Sequence, residues 1–465
     1  MRIEKDTLGE VQVPVDALYG AQTQRAVENY PISGLREHPA LIRAFILLKR
    51  AAALANQELG VLDERIAPAI VAACDRILGD FEGHRQHFVV DVFQAGAGTS
   101  FNMNCNEVVA NMANLTLGGT LGSYTPVHPN DHVNMSQSTN DVFPTAMRMA
   151  TRFLLDPLLQ QLESLGDALE SKGVEFQDVI KSGRTHLQDA VPITMGQEFR
   201  AYAAAVRRSL RLLREAGREI DELGIGGTAV GTGINTPPGY RRALLRQLKA
   251  SAGHEFRGAP DLREAMQSQL PLVAVSAALR NLALELTRIV NDLRLLASGP
   301  ATGLAEILLP SVQPGSSIMP GKVNPSMLEC MNQVLFHIIG ADTAIAYASQ
   351  AGQLELNVMM PLMAFEITFS MEILTNFLPV FVDKTIRGIE ANRSRSEGYY
   401  ISSPALATAL NPIIGYAAAA EIAKEAAKTG KRIPELLREK KLIPEEKIAE
   451  IFTPEFLAGQ ADREE

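Results

Sequence analysis

The chain has 465 residues, 46% of them hydrophobic and 21% charged, the balance of an ordinary globular protein long enough for more than one domain. A formal charge of −9 excludes a broad basic surface for nucleic acid or anionic membrane, while leaving room for a locally basic pocket that takes a small anion. Cys74, Cys105 and Cys330 are odd in number, far apart and without CxxC spacing, so neither a disulfide scaffold nor a cysteine-built zinc site is expected.

The first residues, MRIEKDTLGEVQVP, mix charged and apolar positions and lack the apolar core of a signal peptide. No window approaches about eighteen uninterrupted apolar residues, so no membrane span is expected and the chain reads as cytoplasmic. Residues 1–137 read as an N-terminal, mixed but mainly helical domain, with the glycine-bearing stretch AGAGTSFNMN and the turn-rich TPVHPNDHVN. Residues 138–393 read as a central domain of long helices. Leu155, Leu158, Leu162, Leu165 and Leu169 recur at spacings of three and four, and Phe199, Tyr202, Val206, Leu210, Leu213, Ile220 and Leu223 continue the habit in a second segment. A third places Leu282, Leu286, Ile289, Leu293 and Leu296 on one face, with Glu285, Arg288 and Asp292 on another. That alternation marks an apolar helical stripe, and stripes of such length need neighbouring helices to cover them. Residues 394–465 read as a small C-terminal helical domain of shorter, charged segments such as AAAAEIAKEAAKTGKRIPELLREKKLI and EEKIAEIF. The fold class is therefore mainly α, in three parts around a bundle.

Four polar clusters interrupt the helical pattern. AGAGTSFNMN holds Thr99, Ser100, Asn102 and Asn104 beside glycines that let backbone N–H groups approach an anion. SQSTND offers Ser138, Thr139, Asn140 and Asp141, and GRTHLQD offers Arg184, Thr185, His186 and Gln188 between two helical segments. The fourth, GSSIMPGKVNP from Gly315 to Pro325, carries Ser316, Ser317, Lys322 and Asn324. It is not a nucleotide-binding P-loop: five residues separate Gly315 from Gly321, and Val323 stands where that motif needs a metal-binding hydroxyl. Taken singly, each cluster reads as a cap or a turn, because Ser, Thr, Asn, Gly and Pro favour such places. Four of them at the ends of long helices compose a pocket rich in hydrogen-bonding groups.

These clusters, in this order, resemble the active-site regions of the aspartase/fumarase superfamily, and GSSIMPGKVNP closely resembles its signature loop. The similarity runs from RIEKDTLGEVQVP to the C-terminal helices, and GKVNP points to the aspartase and class II fumarase branch. The resemblance implies a three-domain, mainly α fold whose central helices join a shared bundle in a homotetramer, each active site being built by three subunits. The implied reaction is reversible elimination across a two-carbon bond of a small dicarboxylate, releasing fumarate through an aci-carboxylate intermediate. Ser316 matches the base, an alkoxide whose pKa must be lowered by nearby positive charge and N–H dipoles. Lys322 and Asn324 match carboxylate-binding positions, and their donors steady the charge that develops there. Thr99, Ser138, Thr139, Asn140, Thr185 and Ser317 match substrate contacts; His186 matches a substrate-binding histidine and Glu329 its acidic partner. The glycines flanking Ser316 imply a loop that closes over the substrate.

GAGTS, STND, LQDAVP, AGQLELN and LNPIIG resemble the aspartase versions of these regions, where fumarases typically read GSGTQ, SSND and LQDATP at the first three. The implied substrate is then L-aspartate, with loss of ammonia. HPND, with His128, Asn130 and Asp131, runs the other way and resembles the second, non-catalytic anion site of fumarases; an ordinary β-turn reads the same residues equally well. Hydration of fumarate to L-malate is the alternative activity, and a non-catalytic structural member of the superfamily a third. No cofactor is expected for the chemistry, no metal-ligand spacing is visible among the histidines, and the sequence does not disclose an activating metal such as Mg²⁺.

Overall fold

The computed structural model describes residues 1–457, so the last eight positions of the C-terminal segment, 458–465, lie outside the described residues. The chain is mainly helical and divides into two compact units. Unit 1 comprises Met1–Leu159, Arg211–Asn281 and Phe336–Thr375; unit 2 comprises Gln160–Leu210, Leu282–Leu335 and the chain from Asn376 onward.

Unit 1 opens with a hairpin, β1 (Arg2–Asp6) against β2 (Gly9–Val13), antiparallel from Arg2↔Val13 to Asp6↔Gly9. Helices α1 (Pro39–Glu58), α2 (Ile66–Gly79) and α3 (Thr99–Thr116) follow. Their shared core is aromatic: the Phe45 ring meets Phe101 edge-on at 5.0 Å and Phe143 at 5.6 Å, the geometry ring quadrupoles favour. The first half of the 37-residue helix α4 (Thr139–Glu175) supplies Phe143.

Five long helices begin in one unit and end in the other: α4, α5 (Met195–Ala216), α6 (Leu270–Leu296), α7 (Ser326–Gln350) and α8 (Met360–Lys384). The apolar stripes read from the sequence are their buried faces. Leu155, Leu158, Leu162, Leu165 and Leu169 are buried on α4, and Leu282, Leu286, Ile289, Leu293 and Leu296 on α6, where Arg288 pairs with Glu285 and Asp292 on the wet side. The stripe beginning at Phe199 ends sooner than its spacing suggests. Helix α5 stops at Ala216, Gly217 follows, and Ile220 and Leu223 are buried instead from a short 3₁₀ turn and a two-residue strand. Apolar spacing of three continued through a helix end because the residues on both sides of it are buried.

By length and composition, α6 and the 29-residue stretch beginning at Met360 each carry an apolar window with mean hydropathy 1.3, long enough to cross a membrane. Only 39% and 44% of those windows are buried within the chain. Unit 2 also contains a hairpin, β3 (Ile180–Thr185) against β4 (Gln188–Thr194). The last helices, α9 (Tyr416–Thr429), α10 (Ile433–Lys440) and α11 (Glu445–Ile451), close a separate apolar cluster of Leu406, Leu410, Ile422, Leu436, Leu437 and Ile451 around Ile180 at the hairpin base.

Candidate active site

The first polar cluster stands at the start of α3. Ala97 and Gly98 are left-handed, at φ 60° and 79°, and the helix begins at Thr99, which is exposed. A Cβ on Gly98 would fall 2.0 Å from Cδ2 of Phe143, so glycine is demanded both by backbone conformation and by the ring beneath it. Gly98→Ala is expected to lower stability by about 1–3 kcal/mol and to reduce activity through Thr99; a thermal melt paired with an assay checks both.

Ser138, Thr139 and Asn140, all half-buried, open α4 in the same unit. The carboxylate of Asp141, fully buried, accepts N–H bonds from Ser138 at 2.9 Å, Gly226 at 3.0 Å and Thr228 at 2.9 Å, which pins this turn to the 226–233 loop. Burial pushes the Asp141 carboxyl up to about 6, against those N–H bonds and the charge of Lys49. Asn140 Nδ2 donates to the Ala229 carbonyl at 2.9 Å. His128 Nδ1 accepts from the backbone N–H of Asn130 and Asp131 at 3.3 and 3.2 Å and lies 3.3 Å from the Asp131 carboxylate, so the three HPND residues do come together.

Thr185 and His186 lie in unit 2 at the tip of the β3–β4 hairpin. Thr185 pairs with Gln188, leaving His186 and Leu187 as a two-residue turn at φ 57° and 56°. Hairpin turns of this hand normally take Asn or Gly; left-handed conformation costs other residues about 1–2 kcal/mol each. An ion cluster under the tip over-determines it. Glu306, fully buried, accepts from Arg184 through both oxygens at 3.0 and 3.1 Å and from Lys181 at 3.0 Å, while Lys181 also reaches Glu198 at 2.8 Å. The Arg184 guanidinium stacks 5.5 Å from the Tyr399 ring centroid.

The signature loop, also in unit 2, is closed at its base by Asn324 Nδ2 donating to the Gly315 carbonyl at 2.6 Å. The ends approach so closely that a Cβ on Gly315 would lie 2.3 Å from the Lys322 carbonyl oxygen. At the far end, Lys322 N–H donates to the Met319 carbonyl at 3.2 Å across Pro320 and Gly321, with Gly321 at φ 81°: a type II turn, with Pro and Gly in their expected places. Ser316 is half-buried, and its Oγ accepts from the backbone N–H of Met319 at 2.9 Å and Ile318 at 3.3 Å. Two N–H dipoles aimed at one hydroxyl oxygen favour its deprotonated form. Ser317 and Lys322 are exposed, and Glu329 sits half-buried in the first turn of α7.

The candidate residues thus fall into two sets. Thr99, Ser138, Thr139 and Asn140 belong to unit 1; Thr185, His186, Ser316, Ser317, Lys322, Asn324 and Glu329 belong to unit 2. Among the described residues, no hydrogen bond or ion pair joins His186 to Glu329, or the hairpin tip to the signature loop. A cavity of about 660 Å³ in unit 1, lined in part by Thr232, Thr236, Arg241 and Arg242, contains none of them. The sequence reading missed Lys49, buried on α1, and Glu306. Lys49 carried a signal: it falls four residues after Phe45, on the face the helix buries.

A family model described as Lyase matches residues 9–340, and one described as Fumarase C C-terminus matches residues 406–459. The chain belongs to the aspartase/fumarase superfamily. Among curated members, the aspartate ammonia-lyase of Pseudomonas aeruginosa is 50% identical, over 98% of this chain and 96% of that protein. The aspartate ammonia-lyase of Bacillus subtilis is 48% identical, over 97% and 95%. Among solved structures of the superfamily, a fumarate lyase:delta crystallin from Brucella melitensis bound to cobalt superposes with a TM-score of 0.95 at 46% identity, covering 98% of this chain and 99% of that one. A class II fumarase from Schistosoma mansoni superposes at 0.93 with 36% identity, covering 99% of each. This superfamily member is a lyase. Among its described residues, no group of three His, Cys, Asp or Glu side chains is arranged to hold a metal ion.

Proposed function

We propose that this lyase is an aspartate ammonia-lyase, converting L-aspartate reversibly to fumarate and ammonia. The observation that carries the reading is full-length identity of 44–50% to proteins of that name, against 36% to the class II fumarase. Ser316, as the alkoxide favoured by its two N–H donors, takes the proton from the carbon beside the β-carboxylate. The electron pair of that C–H bond moves into the carboxylate, giving a doubly charged aci form. Lys322, Asn324 and loop N–H groups would steady it, an interaction that strengthens as charge develops and so accelerates the step. Collapse forms the carbon–carbon double bond and breaks the C–N bond. The amine enters as ammonium and leaves as neutral ammonia, so departure needs no strong acid. Thr99, Ser138, Thr139, Asn140, Thr185 and Ser317 would grip the carboxylates and the amine, with His186 as a substrate contact and Glu329 as its acidic partner.

Because these residues divide between two units, we place them together through assembly: a homotetramer in which three subunits contribute to each site. The apolar windows of α6 and α8, less than half buried in the single chain, give such an assembly faces to bury. The division at residues 137 and 393 belongs to the same proposal, as does a second anion site at His128, Asn130 and Asp131. That last feature favours a fumarase. Absorbance of fumarate, followed with L-aspartate and with L-malate, decides between the activities. A rise with aspartate alone is expected; a rise with malate alone makes the protein a hydratase, and no rise with either makes it a non-catalytic member. Light scattering on the same sample should give four times the 50.4 kDa chain mass.

A further inference from the structure

Behind the Ser138–Asn140 turn lies a chain of amides, buried at Asn102 and Asn106 and half-buried at Asn134 and Gln137, whose donor and acceptor ends follow from their partners. Asn134 Nδ2 lies 3.2 Å from the Gln137 main-chain carbonyl, which can only accept. Asn134 Oδ1 must then be the end that faces Lys49 Nζ at 3.0 Å, Asn106 Nδ2 at 3.2 Å and Asn102 Nδ2 at 3.3 Å. Lys49 is held from its other side by Gln137 Oε1 at 3.0 Å, and the Gln137 amide is itself oriented by the Val133 and Met135 carbonyls, at 3.0 and 3.2 Å from Nε2. Since Asn134 presents an acceptor, the Asn102 atom beside it is the amide nitrogen. The reverse orientation would set two carbonyl oxygens against each other in a dry site, Asn102 being 1% exposed and Lys49 0%.

That same nitrogen donates to Thr139 Oγ1 at 2.9 Å. A threonine hydroxyl carries one hydrogen and two lone pairs. With one lone pair occupied by Asn102, its hydrogen is left uncommitted, and no acceptor among the described residues receives it. We propose that Asn102 is a positioning residue that fixes the Thr139 hydroxyl as a hydrogen-bond donor, so that position 139 recognises an acceptor oxygen of the bound diacid. The inference rests on the reading that Thr139 contacts substrate. It gives that residue a polarity, set from Asn134 through Asn102 and held by the buried Lys49 Nζ, which donates to both Asn134 and Gln137. An ionised carboxylate in place of Asn102 would reverse the last link: in that form it can only accept, so it would draw the Thr139 hydrogen inward and leave lone pairs facing the substrate carboxylate.

The test is a double-mutant cycle over wild type, Asn102→Asp, Thr139→Val and the double variant, reading kcat and KM for L-aspartate and the calorimetric Kd of succinate. Asn102→Asp is expected to raise KM and the succinate Kd about 10–100-fold, with the smaller change in kcat, the scale of a hydrogen bond to a charged group. On the Thr139→Val background the same substitution should change them less than about twofold, because the hydroxyl through which it acts is gone. An equal penalty with and without the hydroxyl overturns the proposal and makes Asn102 merely structural. Should Asn102→Asp lose the wild-type melting profile, Asn102→Ala in the same cycle decides, with a smaller penalty that must again vanish with Thr139→Val. Wild type that binds succinate but does not turn over aspartate defeats the ammonia-lyase reading, while the succinate cycle still judges Asn102. Wild type that binds no succinate overturns both.

Discussion

The Ser316→Ala enzyme is expected to lose about 10²–10⁴ in kcat, the range of a general base, while keeping the parent's melting temperature and assembly state. The two effects separate because of where the hydroxyl sits. Its oxygen accepts N–H bonds from Ile318 and Met319 within an exposed loop, so on truncation those donors turn to water and stability changes little. Of the two loop hydroxyls, Ser316 is the one whose oxygen receives backbone N–H donors among the described residues, and Asn324 has its amide nitrogen on the Gly315 carbonyl. A Ser316→Ala protein with near-parent turnover would end the assignment of the base, and with it the chemistry proposed for the loop.

Lys322→Met should cost about 10²–10³ in kcat, comparable to deleting one donor from an oxyanion site. The side chain is exposed and has no ion pair in the chain among the described residues, so its charge is free for a ligand and its loss should leave the melting temperature unchanged. Arginine is a poor substitute, since a planar fork cannot place a compact charge at the same point. The division between constants is the informative reading. If KM alone rises and kcat holds, the ammonium binds ground state and transition state alike and does not steady the aci form.

The long helices were legible because a buried stripe repeats at three and four, and Leu155 to Leu169 carry that repeat without interruption. The same rule overran at Ile220 and Leu223, where Gly217 had already ended the helix. The hairpin of residues 180–194 is not legible in the sequence: KSGRT is polar, and its tip, His186-Leu187, lacks the Asn-Gly signal of such turns. The four polar clusters stood out by composition, and the resemblance supplied roles for their residues. What lay behind them was harder to read. A lysine, an asparagine or a glutamate at an apolar position acquires meaning only from its partners, and those of Lys49 lie 85 and 88 residues away, while Arg184, a partner of Glu306, lies 122 residues away.

The tip of the hairpin depends on its footing. A glycine pair would take the same bend unaided but would also wander; His186 and Leu187 hold it only because Arg184 and Lys181 are anchored to a desiccated carboxylate below. The imidazole is thereby displayed on a rigid pedestal, and what the tip residues are is left for chemistry rather than folding to choose. Hydration of that footing would release the histidine before the helices melt, making the hairpin amides an early reporter of local opening in hydrogen exchange.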